Sequence, residues 1–396
     1  MGRTIAVAGG GIVGRTLAVA LASQSALTVR LFAGPPPPPD PRASAVAASA
    51  RRLFARLGVW PAVAAHAEPV RGMVVTDSAD GDVVRPEALT FEGEVEGHPF
   101  AHVLPNETLR RALAERCATV GIEETNATAT FYDEEPAGVR ITLSDGSEAR
   151  AEVLVAADGR SSRLRAIAGV PVLRKGYGQS SVVGTVAHEL PHHGIATQHF
   201  LPSGPLALLP LPGLRSSMVW SARDDVARSL ADMDPMLASL EVERAFGLAL
   251  GRLSVEGPLN VHPLGAMVAR SFVAGRLALV GDSAHVIHPL AGQGLNLGLR
   301  DAAALAEAIV DAARLGEDLA LALPRYEVRR RADTVQMTLV TDALNAIFSR
   351  RSNALRALRS IGVAFVEERD GLKSLFMREA AGLEGDVPRL MRGEAI

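Results

Sequence analysis

Short apolar runs that end in glycine turns mark the start of the chain. The stretch "RTIAVAGGGIVG" (3–14) predicts a buried strand, a tight turn and the first residues of a helix. The apolar spacing of "RTLAVALASQ" (15–24) continues that helix, and "LTVRLF" (27–32) is typical of a second strand. A strand–helix–strand unit of this kind predicts a parallel sheet.

The rest of the chain divides into helical stretches around a strand-rich centre. Helical spacing occurs in "NETLRRALAERCATVG" (106–121) and in the long "LNLGLRDAAALAEAIVDAARLG" (295–316). A hairpin with its turn at Asp145–Gly146 leads into the buried strand "EVLVAAD" (152–158). Residues 177–256 contain mainly strand patterns.

These strand patterns interrupt the alternation of strands and helices rather than following it. We therefore predict an α/β fold with a Rossmann-like nucleotide-binding domain, an inserted and mostly antiparallel β-sheet substrate domain, and a C-terminal helical segment. The predicted nucleotide-binding domain is discontinuous and comprises 1–72, 99–176 and 258–340. The predicted sheet domain comprises 73–98 and 177–257, and the C-terminal helical segment is 341–396.

Composition narrows the class of protein. Of 396 residues 48% are hydrophobic, and the net charge is −3, which argues against a nucleic-acid partner. A single cysteine, Cys117, excludes an internal disulfide and a cysteine-rich metal site. No apolar run reaches the roughly 18 residues of a spanning helix, so we expect a cytoplasmic protein.

The first glycine turn carries a nucleotide-binding pattern. Gly9, Gly11 and Gly14 form G-x-G-x-x-G between a strand and a helix, where glycines allow a tight turn and close approach to a pyrophosphate. An acid is expected at the end of the second strand to bind the adenosine ribose. Ala33 follows that strand instead, and the next acid is Asp40.

Two further segments place a carboxylate at the end of a predicted strand. Asp158 precedes "GRSSRLR", and Asp282 opens "GDSAHVIHPLAGQGLNLGLRD" (281–301). His285 and His288 lack a nearby third ligand, and Pro289 breaks any helix that would align them, so we expect no metal site. The small residues of "AGQGLN" predict a loop that lies close to a flat or anionic group.

Together, "GGGIVG", "VLVAADGRSSRLR" and the 281–301 stretch resemble the three flavin motifs of single-component, group A FAD-dependent aromatic monooxygenases with the p-hydroxybenzoate hydroxylase fold. The third motif, "DPRASAVAASARRLFARLGVW" and "VAHELPHHGIATQHFLPSGPLALLPLP" are similar to the ubiquinone-biosynthesis hydroxylases. The resemblance spans nearly the whole chain and implies FAD as cofactor. It also implies the cofactor-binding residues: Gly9, Gly11, Val13, Gly14, Arg42, Asn106, Asp158, Asp282, Pro289, Gly292, Gly294, Leu295 and Asn296.

The resemblance also implies the reaction. Reduced FAD and O2 would form a flavin C4a-hydroperoxide that hydroxylates an aromatic ring of a polyprenyl phenol or quinone precursor in ubiquinone biosynthesis. NAD(P)H or a protein electron donor would supply the electrons, and no second G-x-G-x-x-G is present for a separate nicotinamide domain. Candidate residues lining the pocket of the apolar phenolic substrate come from the predicted sheet and the third motif: Gln198, Phe200, Leu206, Leu208, Pro210 and Pro289.

Several alternatives remain open from the residues. The substrate could be a small soluble aromatic, or the chain could be a flavin-free scaffold of a biosynthetic complex. No general base is identified, although four histidines of the sheet domain are candidates: His188, His192, His193 and His199. The basic tail could contact the inner membrane surface or partner proteins, or it could be a solvated helix face: Arg350, Arg351, Arg356, Arg359, Lys373 and Arg378.

Overall fold

The computed structural model describes residues 3–36, 38, 40–77, 87–92, 94–289, 292–349 and 369–396. Its strands, in chain order, are β1 (Thr4–Ala8), β2 (Thr28–Phe32), β3 (Ala43–Ala47), β4 (Glu68–Val70), β5 (Gly72–Asp77), β6 (Glu87–Glu92), β7 (Ala101–Pro105), β8 (Glu123–Thr125), β9 (Ala129–Glu135), β10 (Gly138–Leu143), β11 (Glu148–Ala151), β12 (Val153–Ala156), β13 (Val172–His188), β14 (Ile195–Leu201), β15 (Gly204–Leu211), β16 (Arg215–Arg223), β17 (Leu253–Ala269), β18 (Val273–Ala274), β19 (Leu277–Leu279) and β20 (His285–Val286). Its α-helices are α1 (Ile12–Gln24), α2 (Ala48–Arg56), α3 (Trp60–Val63), α4 (Asn106–Thr119), α5 (Arg163–Ile167), α6 (Asp224–Ala231), α7 (Pro235–Phe246), α8 (Gln293–Arg314), α9 (Ala322–Ser349), α10 (Asp370–Ala380) and α11 (Arg389–Arg392).

A mostly parallel sheet forms the centre of the nucleotide-binding part. Its strand order is β18–β19–β12–β1–β2–β8, and β1 pairs in parallel with both β2 and β12. The apolar residues of β12 and β19 are fully buried, as expected for strands covered on both faces. The predicted α/β class is confirmed, and so are the predicted hairpin and the two long helices.

A second, mostly antiparallel sheet has the order β20–β17–β13–β16–β15–β14–β5–β6. One of its faces is covered by α6 and α7, which bury Leu206, Leu208, Met218 and Trp220 in one apolar cluster. The strand patterns of residues 177–256 did not predict these two helices. Asp234 and Pro235 were the available signal: Asp234 caps α7 by accepting from the Met236 N–H at 2.9 Å, and Pro235 occupies the first turn.

The opposite face of the large sheet packs on a small sheet of order β3–β7–β4. Ala196 of β14 and Leu211 of β15 share an apolar cluster with Val103 of β7 and Met377 of α10. Since β3 follows the loop that contains Arg42, this contact brings the large sheet against the predicted cofactor region.

The long strands β13 and β17 run side by side through the large sheet. The domain limits proposed at residues 176 and 257 therefore fall inside continuous paired strands rather than in linkers. The predicted C-terminal helical segment includes α10 and α11, whereas Arg350, Arg351, Arg356 and Arg359 lie outside the described residues. In the described part of the chain, no helix has the length and apolarity needed to cross a membrane.

Candidate active site

The first glycine turn lies where three parallel strands end. Gly9 donates its N–H to the Phe32 carbonyl at 2.9 Å, and the Ala157 N–H donates to the Ala8 carbonyl at 2.7 Å. The φ of Gly9 is +124°, and a Cβ there would lie 2.2 Å from the Ala157 oxygen. No other residue type fits this position without movement of the backbone.

The helix that follows the turn leaves room beside it. A Cβ added to Gly11 would meet no atom within 4 Å, whereas one added to Gly14 would lie 2.1 Å from the Gly9 oxygen. Gly14 thus permits tight packing, and Gly11 borders open space. Within the described residues, no side chain caps α1 and its first turn contains no acid, so its N–H groups are available to an anion.

Val13 brings the first glycine motif into contact with the third. Its methyl groups would lie 3.3 Å from a Cβ added to Gly281 and 2.8 Å from one added to Gly298. Segments separated by more than 260 residues in sequence therefore form one cleft, and both glycines are needed for the close approach.

Asp282 lies in that cleft. Its side chain is exposed to solvent, although many nearby protein atoms partly desolvate the carboxylate. Burial raises the pKa of Asp282, while His285, Arg42 and Arg160 act in the opposite direction. The charges on Arg42 and Arg160 show that the loop before β3 and the second motif both face this carboxylate of the third motif.

The loop before β3 is held by a polar cluster. Asp40 pairs with Arg42 at 2.7 Å and accepts from the Asn106 amide at 3.0 Å. Ser44 donates to Asn106 Oδ1 at 2.7 Å. Burial opposes the charge on Asp40, but the hydrogen bonds from Arg42 and Asn106 lower its pKa. The predicted residues Arg42 and Asn106 are thus brought together by an acid that the motif did not single out.

The start of α8 supplies the remaining residues of the third motif. Gly292 adopts φ +64° just before α8, and in the described part of the chain no side chain caps the start of this helix. The backbone N–H groups of Gly294 and Leu295 belong to the first helical turn, where no intrahelical acceptor exists. The side chain of Asn296 instead binds β3, accepting from the Ala47 N–H at 3.0 Å and donating to the Ala45 carbonyl at 2.9 Å.

A buried charge network fixes the 281–288 loop and was not among the predicted site residues. Asp301, fully buried, accepts from the Gly281 N–H at 3.0 Å, from His285 Nε2 at 2.6 Å and from Arg330 Nε at 2.9 Å. Although burial opposes its charge, His285 and Arg330 lower the pKa of Asp301. In the sequence, the signal for this network was the Arg300–Asp301 pair at the end of the third motif.

The second motif contacts the third through Arg165. Its guanidinium is buried and donates to the Ser283 carbonyl at 2.6 Å and to the Arg160 carbonyl at 3.0 Å. Asp158 accepts from the Arg163 N–H at 3.0 Å, which shapes the turn before α5. Asp158 therefore has a local structural role, and its exposed side chain lies at the end of β12 beside the glycine turn.

The candidate residues for the substrate wall divide between the two faces of the large sheet. Gln198 and Phe200 alternate with His199 and lie on the face that packs towards β3. Leu206 and Leu208 lie on the other face, in the cluster under α6 and α7, and Pro210 shares that face by alternation.

His288 directly precedes Pro289 and lies where the third motif meets the large sheet. Its side chain is fully buried and contacts Tyr177 edge-on, with ring centroids 5.1 Å apart. Neither ring nitrogen has a hydrogen-bond partner among the described residues. Burial lowers the pKa of His288 to about 4, so its imidazole is neutral at physiological pH.

Three of the four histidines named as candidate bases have structural partners. His188 and His192 bind the carbonyls of Leu190 and Leu211, each at 2.8 Å, and His199 contacts Thr76 at 2.6 Å. His193 adopts φ +51° in the turn before β14. No group of metal-binding side chains occurs among the residues that the structure describes.

These features fit a flavin dinucleotide. The open glycine turn at the start of α1 would contact a pyrophosphate, and the uncapped start of α8 would contact a flat ring. The carboxylate between them would contact a polyol chain. The fold and the site thus define the class of FAD-dependent hydroxylases.

Comparison with known proteins supports this assignment to the FAD-dependent hydroxylases. Residues 3–340 match the model of the FAD binding domain family. The chain is 40% identical to ubiquinone hydroxylase UbiL of Rhodospirillum rubrum, over 98% of this chain and 92% of that protein. It is 34% identical to the 3-demethoxyubiquinol 3-hydroxylase of Escherichia coli, over 96% of this chain and 98% of that protein. The crystal structure of p-nitrophenol 4-monooxygenase PnpA from Pseudomonas putida superposes with a TM-score of 0.82 at 19% identity, covering 98% and 99% of the two chains, and so shares the fold.

The chain belongs to this family of FAD-binding proteins. The predicted cofactor, FAD, and the predicted enzyme class, FAD-dependent monooxygenase, are confirmed. The reaction of a monooxygenase consumes O2 and requires a reduced electron donor.

Proposed function

We propose that this enzyme hydroxylates the aromatic ring of a polyprenyl phenol or quinol precursor in ubiquinone biosynthesis. The supporting observation is that two relatives named for ubiquinone chemistry align with 96% or more of this chain. The alignment therefore includes both the cofactor cleft and the large sheet.

We further propose how the chain holds FAD. The glycine turn of Gly9 to Gly14 and the start of α1 would bind the pyrophosphate, with Asp282 beside the ribityl chain. The first-turn N–H groups of Gly294 and Leu295, together with Pro289, would face the flavin ring. When bound, FAD supplies the oxygen-transfer chemistry, and donors fixed at a helix start favour negative charge on the group that they contact.

The protein's own contribution is to exclude water and to orient the ring of the substrate. Gln198 and Phe200 are our candidates for the wall, because they lie on the sheet face that packs towards β3. His288 is our candidate for contact with the ring hydroxyl. A neutral, buried imidazole without a partner among the described residues can accept a hydrogen bond from that hydroxyl at a ring nitrogen and so orient the ring.

We also propose a cytoplasmic location with contact at the inner membrane surface, where a polyprenyl substrate would be found. Support comes from α10, whose Leu375 and Phe376 are about half exposed next to Lys373. Sedimentation with anionic vesicles should be lost on replacing both apolar residues by serine. Equal sedimentation of the variant would contradict this part of the proposal.

Complementation tests the function itself. The gene should restore ubiquinone in a strain that lacks one of the ring hydroxylases, and the accumulated precursor should gain one oxygen atom by mass. The strain that is rescued identifies the ring position. Failure in every hydroxylase-deficient strain, although FAD-loaded protein is produced, would contradict the proposed substrate.

A further inference from the structure

The adenosine end of the cleft lacks the carboxylate that a dinucleotide fold normally places at the end of its second strand. Ala33 occupies that position, and a Cβ added to Gly10 would lie 2.7 Å from the Ala33 methyl group. The end of β2 is therefore packed against the glycine turn and presents no acid. Asp40, the next acid in sequence, is already bound by Arg42 and Asn106.

The neighbouring strand β8 brings another carboxylate to the same edge of the sheet. Glu124 pairs in register with Leu31, and the Ala33 N–H donates to the Thr125 carbonyl at 3.0 Å. In a parallel pair, Glu124 lies on the same sheet face as Leu31 and hence as Ala33. Its carboxylate is thus beside the position where the expected acid is missing.

Arg15 connects this carboxylate to the glycine turn. Its Nε donates to the Gly10 carbonyl at 2.9 Å, and its two terminal nitrogens each donate to one oxygen of Glu124 at 2.6 Å. A bidentate pair of this geometry fixes the plane and the position of the carboxylate. Since Arg15 lies on α1, the carboxylate is fixed relative to the helix start that faces the pyrophosphate.

Glu124 can still accept further hydrogen bonds. Its side chain is 36% exposed, while that of Arg15 is 12% exposed. Each carboxylate oxygen accepts one hydrogen bond from Arg15 and retains a lone pair. The exposed side of the carboxylate is therefore free to accept from a diol.

We propose that Glu124, positioned by Arg15, replaces the missing acid and accepts hydrogen bonds from the adenosine ribose hydroxyls of FAD. The proposal rests on FAD as the cofactor but not on the identity of the aromatic substrate. It assigns the ribose contact to a different strand from the one that the motif predicts.

The test is titration of the apoprotein with FAD, comparing Glu124→Gln with Glu123→Gln. Glu123 is the matched control, because it precedes Glu124 on β8 and pairs with Arg30 at 2.6 Å. The exchange at Glu124 removes a charged acceptor and should weaken FAD binding by roughly tenfold. The control should bind FAD as the unmodified protein does, and both apoproteins should unfold at the same temperature.

A FAD analogue with 2′-deoxyadenosine separates a ribose contact from a structural effect. The unmodified protein should bind this analogue more weakly than FAD, and this difference should be smaller in Glu124→Gln, whose neutral amide oxygen is a weaker acceptor than the carboxylate. Unchanged FAD affinity in Glu124→Gln, or an equal loss with both ligands, would overturn the proposal. Either result would leave FAD binding itself, and the proposed hydroxylation, untouched.

Discussion

The two ends of the cofactor cleft are built differently. At the proposed flavin end, buried charges fix the loop: Asp301 binds the Gly281 N–H, His285 and Arg330 away from solvent. At the proposed adenosine end, backbone fit around Gly9 and Gly10 is combined with a partly exposed ion pair, Arg15–Glu124. Each member of a buried network is the hydrogen-bond partner of another, so replacing one member leaves a buried polar group unpaired. An exposed contact can instead be supplied by a residue of a different strand.

Removal of Asp301 should have the largest effect. Asp301→Ala leaves His285 Nε2 and Arg330 Nε buried without this acceptor, although Arg330 keeps its ion pair with Asp333, and we expect a loss of about 3 kcal/mol in the free energy of unfolding. Denaturant unfolding of the apoprotein measures this loss. Asp225→Ala, in an exposed pair with Arg223, is the control and should leave the midpoint unchanged. Equal midpoints for both variants would refute the role assigned to the network.

The next comparison lies within the first glycine turn. Gly9→Ala places a Cβ 2.2 Å from the Ala157 oxygen, so we expect several kcal/mol of destabilisation and no retained FAD. Gly11→Ala meets no atom within 4 Å and should unfold like the unmodified apoprotein, while binding FAD more weakly. Unchanged FAD affinity in Gly11→Ala would mean that the open space beside α1 is not the pyrophosphate site.

His288 allows a test at the flavin end that should not alter cofactor binding. Loss of the acceptor that orients the substrate hydroxyl should lower turnover by about tenfold or more. We therefore expect His288→Leu to reduce ring hydroxylation strongly, with the FAD content retained. His102→Gln removes a partly buried histidine whose pKa is also lowered to about 4 and which packs on Trp60, and this variant should keep activity. Equal activity of both variants would remove His288 from the proposed site.

The smallest predicted effect concerns pH. Burial lowers the pKa of His288 and His102 from 6.5 to about 4, so the unfolded chain binds more protons than the folded one between these values. The free energy of unfolding that depends on these two neutral histidines should have its full value above pH 6.5 and should fall as the pH drops towards 4. In thermal unfolding across this range, His102→Gln should show a shallower dependence on pH. An unchanged slope would indicate that His102 titrates normally in the folded protein.

The sequence predicted much of the fold because its strongest patterns are local. The strand, turn and helix around Gly9 and the strand before Asp282 follow from periodicity and glycine placement. Long-range contacts could not be read in this way: Val13 meets Gly281 and Gly298 only after the parallel sheet has formed. Alternation along β15 showed that Leu206 and Leu208 share a face, but only the position of α6 and α7 shows which face that is. The Arg15–Glu124 pair likewise depends on β8 joining the sheet next to β2.

Oxygen transfer is the central claim, and labelled dioxygen tests it most directly. The FAD-loaded protein would be incubated with a short-chain prenylated phenol, a chemical or enzymatic reductant and isotopically labelled O2. We predict a product that contains one labelled oxygen atom on the ring, and no such product from Asp282→Ala protein that has lost its FAD. Reduction of O2 to hydrogen peroxide with an unmodified ring, for every prenylated phenol tested, would contradict the account.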